Sequence, residues 1–312
     1  MIEHYNKLWT EKYRPHSLKD MCLDESVIKH FEDLNESSTP HLLLYGSPGV
    51  GKSTLAKIIV KEILKCQYLY INASDENGID TIRNKVITFA QTRSIDDKKK
   101  VVILEEADGL TGESLRILRN VMEEYADTTR FILTANYYNK IIEPVRSRCV
   151  EFKLIPDFKK CTIRCLEILK NESVRIPKDQ NNSLFKLIEK KYPDMRRILN
   201  DLQKYSINQT LNIEETNSSN SFSKSIVDML LAKTSVLEIR KCVIESEKNI
   251  NNEYQPLLKS IFEEFYNNQN IQETVKKQLL YELCEFIYRD NFVLDHEINF
   301  FMCILALENA LK

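Results

Sequence analysis

Glycine is scarce in this chain and confined to one stretch. Of 312 residues only six are glycine, at positions 46, 49, 51, 78, 109 and 112. Glycine serves where the backbone takes positive φ or approaches a ligand closely. The special loops therefore belong to the early part of the chain, and everything after Gly112 is expected to turn without glycine. No run of eighteen apolar residues occurs, which excludes a transmembrane helix of the usual kind. Met1-Ile2-Glu3-His4-Tyr5 lacks a basic stretch leading into an apolar one, so no secretory signal is expected. Paired CxxC spacings are also missing. The eight cysteines are scattered at 22, 66, 149, 161, 165, 242, 284 and 303, and no histidine flanks Cys161 and Cys165. Reduced, mostly buried thiols of an intracellular protein are expected rather than a disulfide or zinc framework. An excess of either charge is absent too: 44 Lys and Arg against 46 Asp and Glu leave a net charge of -2. That excludes a chain coated in positive charge, although a local patch can still hold nucleic acid.

What is present is a chain that is 43% apolar and 29% charged, enough for cores and for solubility. Its length suits about two domains and a small third. The first half alternates. Strands are expected at 41–45, 68–72, 101–104, 130–134 and 150–154, with helices over 52–65, 79–92 and 113–125. Continuous apolar strands between amphipathic helices mean a parallel sheet covered on both faces. Residues 1–153 thus read as a doubly wound α/β domain. After Pro156 the strand signals stop, and helices at 159–172, 183–191 and 195–205 form a small bundle over 154–207. Residues 208–223, rich in Asn, Ser and Thr, read as a linker. Residues 224–312 show helical periodicity throughout, a third and all-helical domain.

One loop carries clear chemistry. Gly46-Ser47-Pro48-Gly49-Val50-Gly51-Lys52-Ser53 fits GxxxxGK[ST], directly after an expected strand and opening an expected helix. Its glycines let backbone N–H groups curl around phosphates at a helix N-terminus. Lys52 is placed to reach the β- and γ-phosphates and the Ser53 hydroxyl to hold Mg²⁺. The strand Val101-Val102-Ile103-Leu104 ends in Glu105-Glu106-Ala107-Asp108, as a Walker B segment does. Glu105 is the expected metal-side acid and Glu106 the group that polarises the attacking water. Lys98-Lys99-Lys100 reads as a solvated turn before that strand.

With these motifs the chain resembles the AAA+ clamp-loader ATPases, the small subunits of replication factor C and the ATPase subunits of tailed-phage clamp loaders. The resemblance covers essentially the whole chain. Trp9-Thr10-Glu11-Lys12-Tyr13-Arg14-Pro15 is similar to the family's opening against the adenine. Ile71-Asn72-Ala73-Ser74-Asp75 with Gly78-Ile79-Asp80 resembles the entry to its DNA-facing helix. Phe131-Ile132-Leu133-Thr134-Ala135-Asn136 looks like sensor 1, and Tyr192-Pro193-Asp194-Met195-Arg196-Arg197 like sensor 2. Ile142-Glu143-Pro144-Val145-Arg146-Ser147-Arg148-Cys149 carries the SRC box.

The resemblance implies a RecA-like AAA+ domain, a three-helix lid and a helical collar that joins a five-subunit ring. It implies ATP and Mg²⁺ as cofactors. Tyr13, Arg14, Pro15, Gly46, Pro48, Gly49, Val50, Gly51, Lys52, Ser53, Thr54 and Arg196 are the implied nucleotide contacts, with Arg197 the alternative to Arg196. Ser53 and Glu105 are the implied metal ligands. Glu106, Lys52, Asn136 and Arg148 form the implied catalytic set, with Arg148 reaching a neighbour's γ-phosphate. Arg83 is the implied DNA contact. Implied partners are a ring-shaped sliding clamp, primer–template DNA and other loader subunits, with no membrane. The implied function is clamp opening and placement on DNA in the cytoplasm or nucleoid of a prokaryotic or phage-infected cell. A weakly hydrolysing structural subunit and another AAA+ DNA-remodelling ATPase are the alternatives. The sequence departs from the family where Glu105 stands for Asp, and where Pro193-Asp194 stands for Gly-Asp.

Overall fold

A computed structural model of the chain describes residues 8–35, 38–92, 98–213, 217–245 and 254–311. The opening pentapeptide and residues 214–216 of the expected linker lie outside them. The chain divides into two compact units, Met1–Ile213 and Glu214–Lys312.

The first unit is built on five strands: β1 His41–Tyr45, β2 Tyr68–Asn72, β3 Lys100–Glu105, β4 Thr129–Ala135 and β5 Cys149–Lys153. Their order is β2-β3-β4-β1-β5 and every pairing is parallel. Apolar residues alternate between the faces as a period of two requires. Leu42, Leu44, Val101, Ile103 and Ile132 join one core with Phe31 of α2 (Glu25–Glu32) and Leu55 of α3 (Lys52–Ile58). Leu43, Ile71, Val102, Leu104, Phe131 and Leu133 join a second core. That core also holds Leu115, Leu118 and Met122 of α5 (Gly112–Glu124) and Val145 of α6 (Glu143–Arg146). Burial on both faces explains why the central strands read as unbroken apolar runs. The edge strand β2 instead leaves Tyr68 and Tyr70 exposed.

The helix expected over 79–92 is wound wide across Thr81–Ile87 and ends as α4, Thr88–Gln91. Its end corrects one expectation. Lys100 is buried, not a solvated turn residue, and its ammonium donates to the carbonyls of Phe89 and Thr92. A cation over the last carbonyls suits the negative end of a helix and caps it without glycine.

The lid consists of α7 (Phe158–Asn171), α8 (Asn181–Lys191) and α9 (Met195–Tyr205). Asp157 caps α7 by accepting the Lys160 N–H at 2.8 Å, and Asp194 caps α9 by accepting the Arg197 N–H at 3.0 Å. The sequence places a linker at 208–223, and the structure corrects it. Ser206–Ile207 pairs antiparallel with Thr210–Leu211, and a helix, α10, covers Asn217–Leu231. Asn208 and Gln209 both take positive φ, at 51° and 57°, which a tight two-residue hairpin needs. Leu211 and Ile213 then enter the lid core. One further element belongs to that core: α1, Trp9–Lys12, whose Trp9 packs with Leu169, Leu199 and Leu202.

Among its described residues the second unit is built of helices alone, with α11 (Val236–Glu245), α12 (Tyr254–Asn267), α13 (Glu273–Arg289) and α14 (His296–Ala310) following α10. Its core joins Ile226, Leu258, Ile261, Phe265, Leu283 and Ile304. Among the described residues, no helix is long and apolar enough to cross a membrane.

Candidate active site

In open parallel sheets ligands bind beyond the carboxyl ends of the strands, where the strand order reverses. Here the loops after β1, β3 and β4 meet the lid around a cleft of about 1120 Å³, partly open to solvent. The loop after β1 is shaped by Gly46, Gly49 and Gly51, with φ of +149°, +76° and +98°. Two of these glycines are required by space as well. A Cβ on Gly46 would stand 2.7 Å from the Leu154 carbonyl oxygen, and one on Gly49 would stand 1.8 Å from Oδ1 of Asp194. The second contact seats the lid directly on the phosphate loop.

Lys52 is buried, and its Nζ donates to the Gly46 and Ser47 carbonyls at 2.8 Å each. Burial draws its pKa down to about 8, with Asp108 and Glu106 working against that fall. An anion in the cradle would give this ammonium a stronger partner than two carbonyls.

The acid after β3 is held in an uncommon conformation. Glu106 takes φ of 53°, the left-handed region, which is costly for a residue with a side chain. Its N–H donates to Thr134 Oγ1 at 3.0 Å, and its carboxylate accepts the Ser74 hydroxyl. Asp108 Oδ2 accepts the N–H groups of Asn136 and Tyr137 at 3.3 and 3.0 Å, so the acidic segment fixes the loop carrying Asn136. Oδ1 of Asp108 is buried without a partner.

Most residues expected here do line this cleft: Tyr13, Arg14, Pro15, Pro48, Gly49, Val50, Gly51, Lys52, Ser53, Thr54, Glu105, Glu106, Asn136 and Arg196. Gly46 does not; it lies beneath the loop, its N–H donating to the Ala135 carbonyl and its own carbonyl accepting from Lys52. Arg196 faces the cleft, whereas Arg197 is exposed and pairs with Asp194 at 3.3 Å. Arg148 is not among the lining residues either. Its Nε donates to Glu123 on α5 at 3.0 Å, and its Nη1 to the Pro144 carbonyl. That guanidinium holds the Glu123 carboxyl below its ordinary pKa. Arg83 is exposed on the 79–91 helix, while Lys85 is tied to Glu76 at 2.5 Å. Met21, Cys22, Arg164 and Ile168 also line the cleft without having been expected there.

An Mg²⁺ ion fits the donor set. Ser53 and Glu105 share the cleft with the cradle, and Mg²⁺ takes few protein ligands, keeping waters and phosphate oxygens instead.

Fold and cleft together define a P-loop ATPase module of the AAA+ class. Residues 42–157 match the ATPase family associated with various cellular activities (AAA). Residues 156–214 match the AAA+ ATPase lid domain of the sliding-clamp-loader large subunit. A replication factor C small subunit of Sulfurisphaera tokodaii is 35% identical over 303 residues, 93% of this chain and 92% of that one. The chain belongs to the replication factor C small-subunit family. The counterpart from Methanococcus vannielii is 41% identical over 204 residues, 63% of this chain and 64% of its own length. The one from Staphylothermus marinus is 42% identical over 203 residues, 63% of this chain and 61% of its own. The match thus spans less than two thirds of these two relatives. Among solved structures, the RuvB Holliday junction branch migration motor of Thermotoga maritima aligns with a TM-score of 0.50 at 20% identity. That alignment covers 70% of this chain and 80% of the motor, a likeness of fold alone.

Proposed function

We propose that this chain is an ATPase subunit of a DNA sliding-clamp loader. It uses ATP binding and hydrolysis to open a ring clamp and place it on primer–template DNA. The observation that carries this reading is the division of the catalytic set. Lys52, Ser53, Glu105, Glu106 and Asn136 converge on one cleft, while Arg148 stands outside it. A guanidinium set apart from its own phosphate loop is what a site shared between subunits needs. The second unit supports assembly. It exposes Leu237, Tyr281, Tyr288, Phe292 and Leu294, and α14 is apolar on every side, as a helix meant to be covered is. A five-subunit ring with other loader subunits is the assembly proposed.

Within the cleft, the loop N–H groups and Lys52 hold the β- and γ-phosphates and Arg196 meets them from the lid. Ser53 and Glu105 would hold Mg²⁺, which when bound would supply charge neutralisation at the phosphate oxygens. Tyr13, Arg14 and Pro15 lie against the adenine. Glu106 accepts the proton of the attacking water, which Asn136 orients. Arg148 of the adjacent subunit stabilises charge on the transferred group. Arg83 meets a DNA phosphate. The test is ATP turnover of the pure chain, alone and with clamp and primed DNA. Stimulation by the two together is expected; turnover indifferent to both would remove the loader reading.

A second reading is kept by one contact and one residue. The Ser74 hydroxyl occupies the carboxylate of Glu106, and Glu105 replaces the usual Asp. A subunit that binds ATP and hydrolyses it weakly would show nucleotide affinity without clamp- and DNA-stimulated turnover.

A further inference from the structure

The first helix of the chain is built into the lid. Trp9 of α1 is 7% exposed among Leu169, Leu199 and Leu202, and its backbone N–H donates to Gln203 Oε1 on α9 at 2.9 Å. At the other end of α1, two side chains converge on one oxygen of Glu172, the residue that closes α7. Tyr13 donates its hydroxyl to Glu172 Oε1 at 2.5 Å, and Lys12 its ammonium at 2.6 Å. Burial works to raise the Glu172 pKa, and the hydrogen bonds from Lys12 and Tyr13 outweigh it, so the carboxylate stays charged. The Glu172 side chain is 19% exposed. Charge-assisted bonds in such a partly shielded place are stronger than neutral ones. The segment clasped in this way also walls the cleft, through Thr10, Glu11, Tyr13, Arg14 and Pro15.

We infer that Glu172 is a positioning residue for the base end of the nucleotide cleft, fastening the wall that carries Tyr13 to the lid that carries Arg196. The inference rests on the nucleotide-binding reading above. A helix of only four residues would otherwise be free to leave the base. With Trp9 sunk in the lid core and Tyr13 bonded to Glu172, the base wall and the phosphate-side arginine are parts of one body. Lid rotation then shifts both ends of the nucleotide together. Glu172 does not itself line the cleft and acts only through Tyr13 and Lys12.

The test separates the base end from the phosphate end with two probes, Mg·ATP and inorganic tripolyphosphate, each titrated against the full chain by calorimetry. Glu172→Ala is expected to weaken ATP binding roughly tenfold, the worth of a part of one charged hydrogen bond, and to leave tripolyphosphate binding unchanged. Glu172→Gln, which still accepts a hydrogen bond, should recover most of the loss. Tyr13→Phe should add little in the Glu172→Ala background, because the same bond is already gone. Equal weakening of both probes would mean a general lid defect and would overturn the assignment, as would an unchanged ATP affinity in Glu172→Ala. Failure of the parent chain to bind either probe would instead remove the nucleotide-binding reading beneath it.

Discussion

His41 offers a quantitative test of how the strand that delivers the phosphate loop is held. It opens β1, its Nδ1 accepts the Phe131 N–H at 3.1 Å, and its ring lies 5.4 Å from that of Phe131. Burial, followed by the Arg130 guanidinium, pulls its pKa from 6.5 to about 4. A proton on Nδ1 would remove the acceptor and set a second cation beside Arg130. The folded chain therefore binds fewer protons at this site than the unfolded chain between pH 6.5 and about 4. The stability it contributes is complete above pH 6.5 and is lost as the pH falls toward 4. At about 1.4 kcal/mol per pH unit the gap caps the effect near ~3 kcal/mol, and solvent screening of a partly exposed ring reduces it to about 1.5 kcal/mol. His41→Asn keeps a side-chain acceptor and removes the titration. Urea unfolding, followed through Trp9 fluorescence, compares parent and variant at pH 7 and pH 4.5. The parent should lose about 1–1.5 kcal/mol more than the variant across that interval. Equal losses would refute the argument, because the acid-sensitive groups common to both chains would then account for the whole effect.

Other outcomes follow from contacts around the cleft. Gly49→Ala puts a methyl into the Asp194 carboxylate at positive φ, so nucleotide affinity should fall by more than about tenfold, read by calorimetry. Ser74→Ala frees the Glu106 carboxylate and should raise unstimulated turnover, whereas Glu106→Gln should abolish turnover while ATP still binds; an active Glu106→Gln would dismiss it as the base. Arg148→Ala should keep nucleotide affinity and slow hydrolysis in the assembled ring by about 10³-fold or more. Arg83→Ala should weaken binding to all DNA sequences alike and lower the salt slope by about one, as loss of one phosphate contact does.

Local features of this fold were legible and long-range ones were not. The phosphate loop announces itself because the glycines, Lys52 and Ser53 act within eight consecutive positions, and an apolar strand precedes them. The central strands could be read because burial on both faces leaves runs such as Val101–Leu104 without polar interruption. The partners of the cleft residues were not readable. Ser74 meets Glu106 across two strand ends, Asp194 meets Gly49 through the lid, and Tyr13 meets Glu172 across most of the first unit. Nothing in local spacing marks such pairs. Across 208–223 polar composition is a poor guide to conformation. Asn208 tolerates positive φ, and a two-residue turn between Ile207 and Thr210 is the available signal. A lysine triplet looks solvated until the helix end that Lys100 caps is known.

The confinement of glycine has a consequence for how the chain responds to engineering. Lys65, Ser173 and Lys233 hold φ of 48°, 55° and 57° with full side chains in place. Each of these turns carries a native-state penalty of about 1–2 kcal/mol that glycine would relieve. Glycine would in turn give the unfolded chain more freedom, at about 0.5–1 kcal/mol. The balance favours substitution at such positions by up to about 1 kcal/mol each. The room for a more heat-resistant form of this protein therefore lies at its corners, where evolution has left side chains in a region of backbone space they do not prefer.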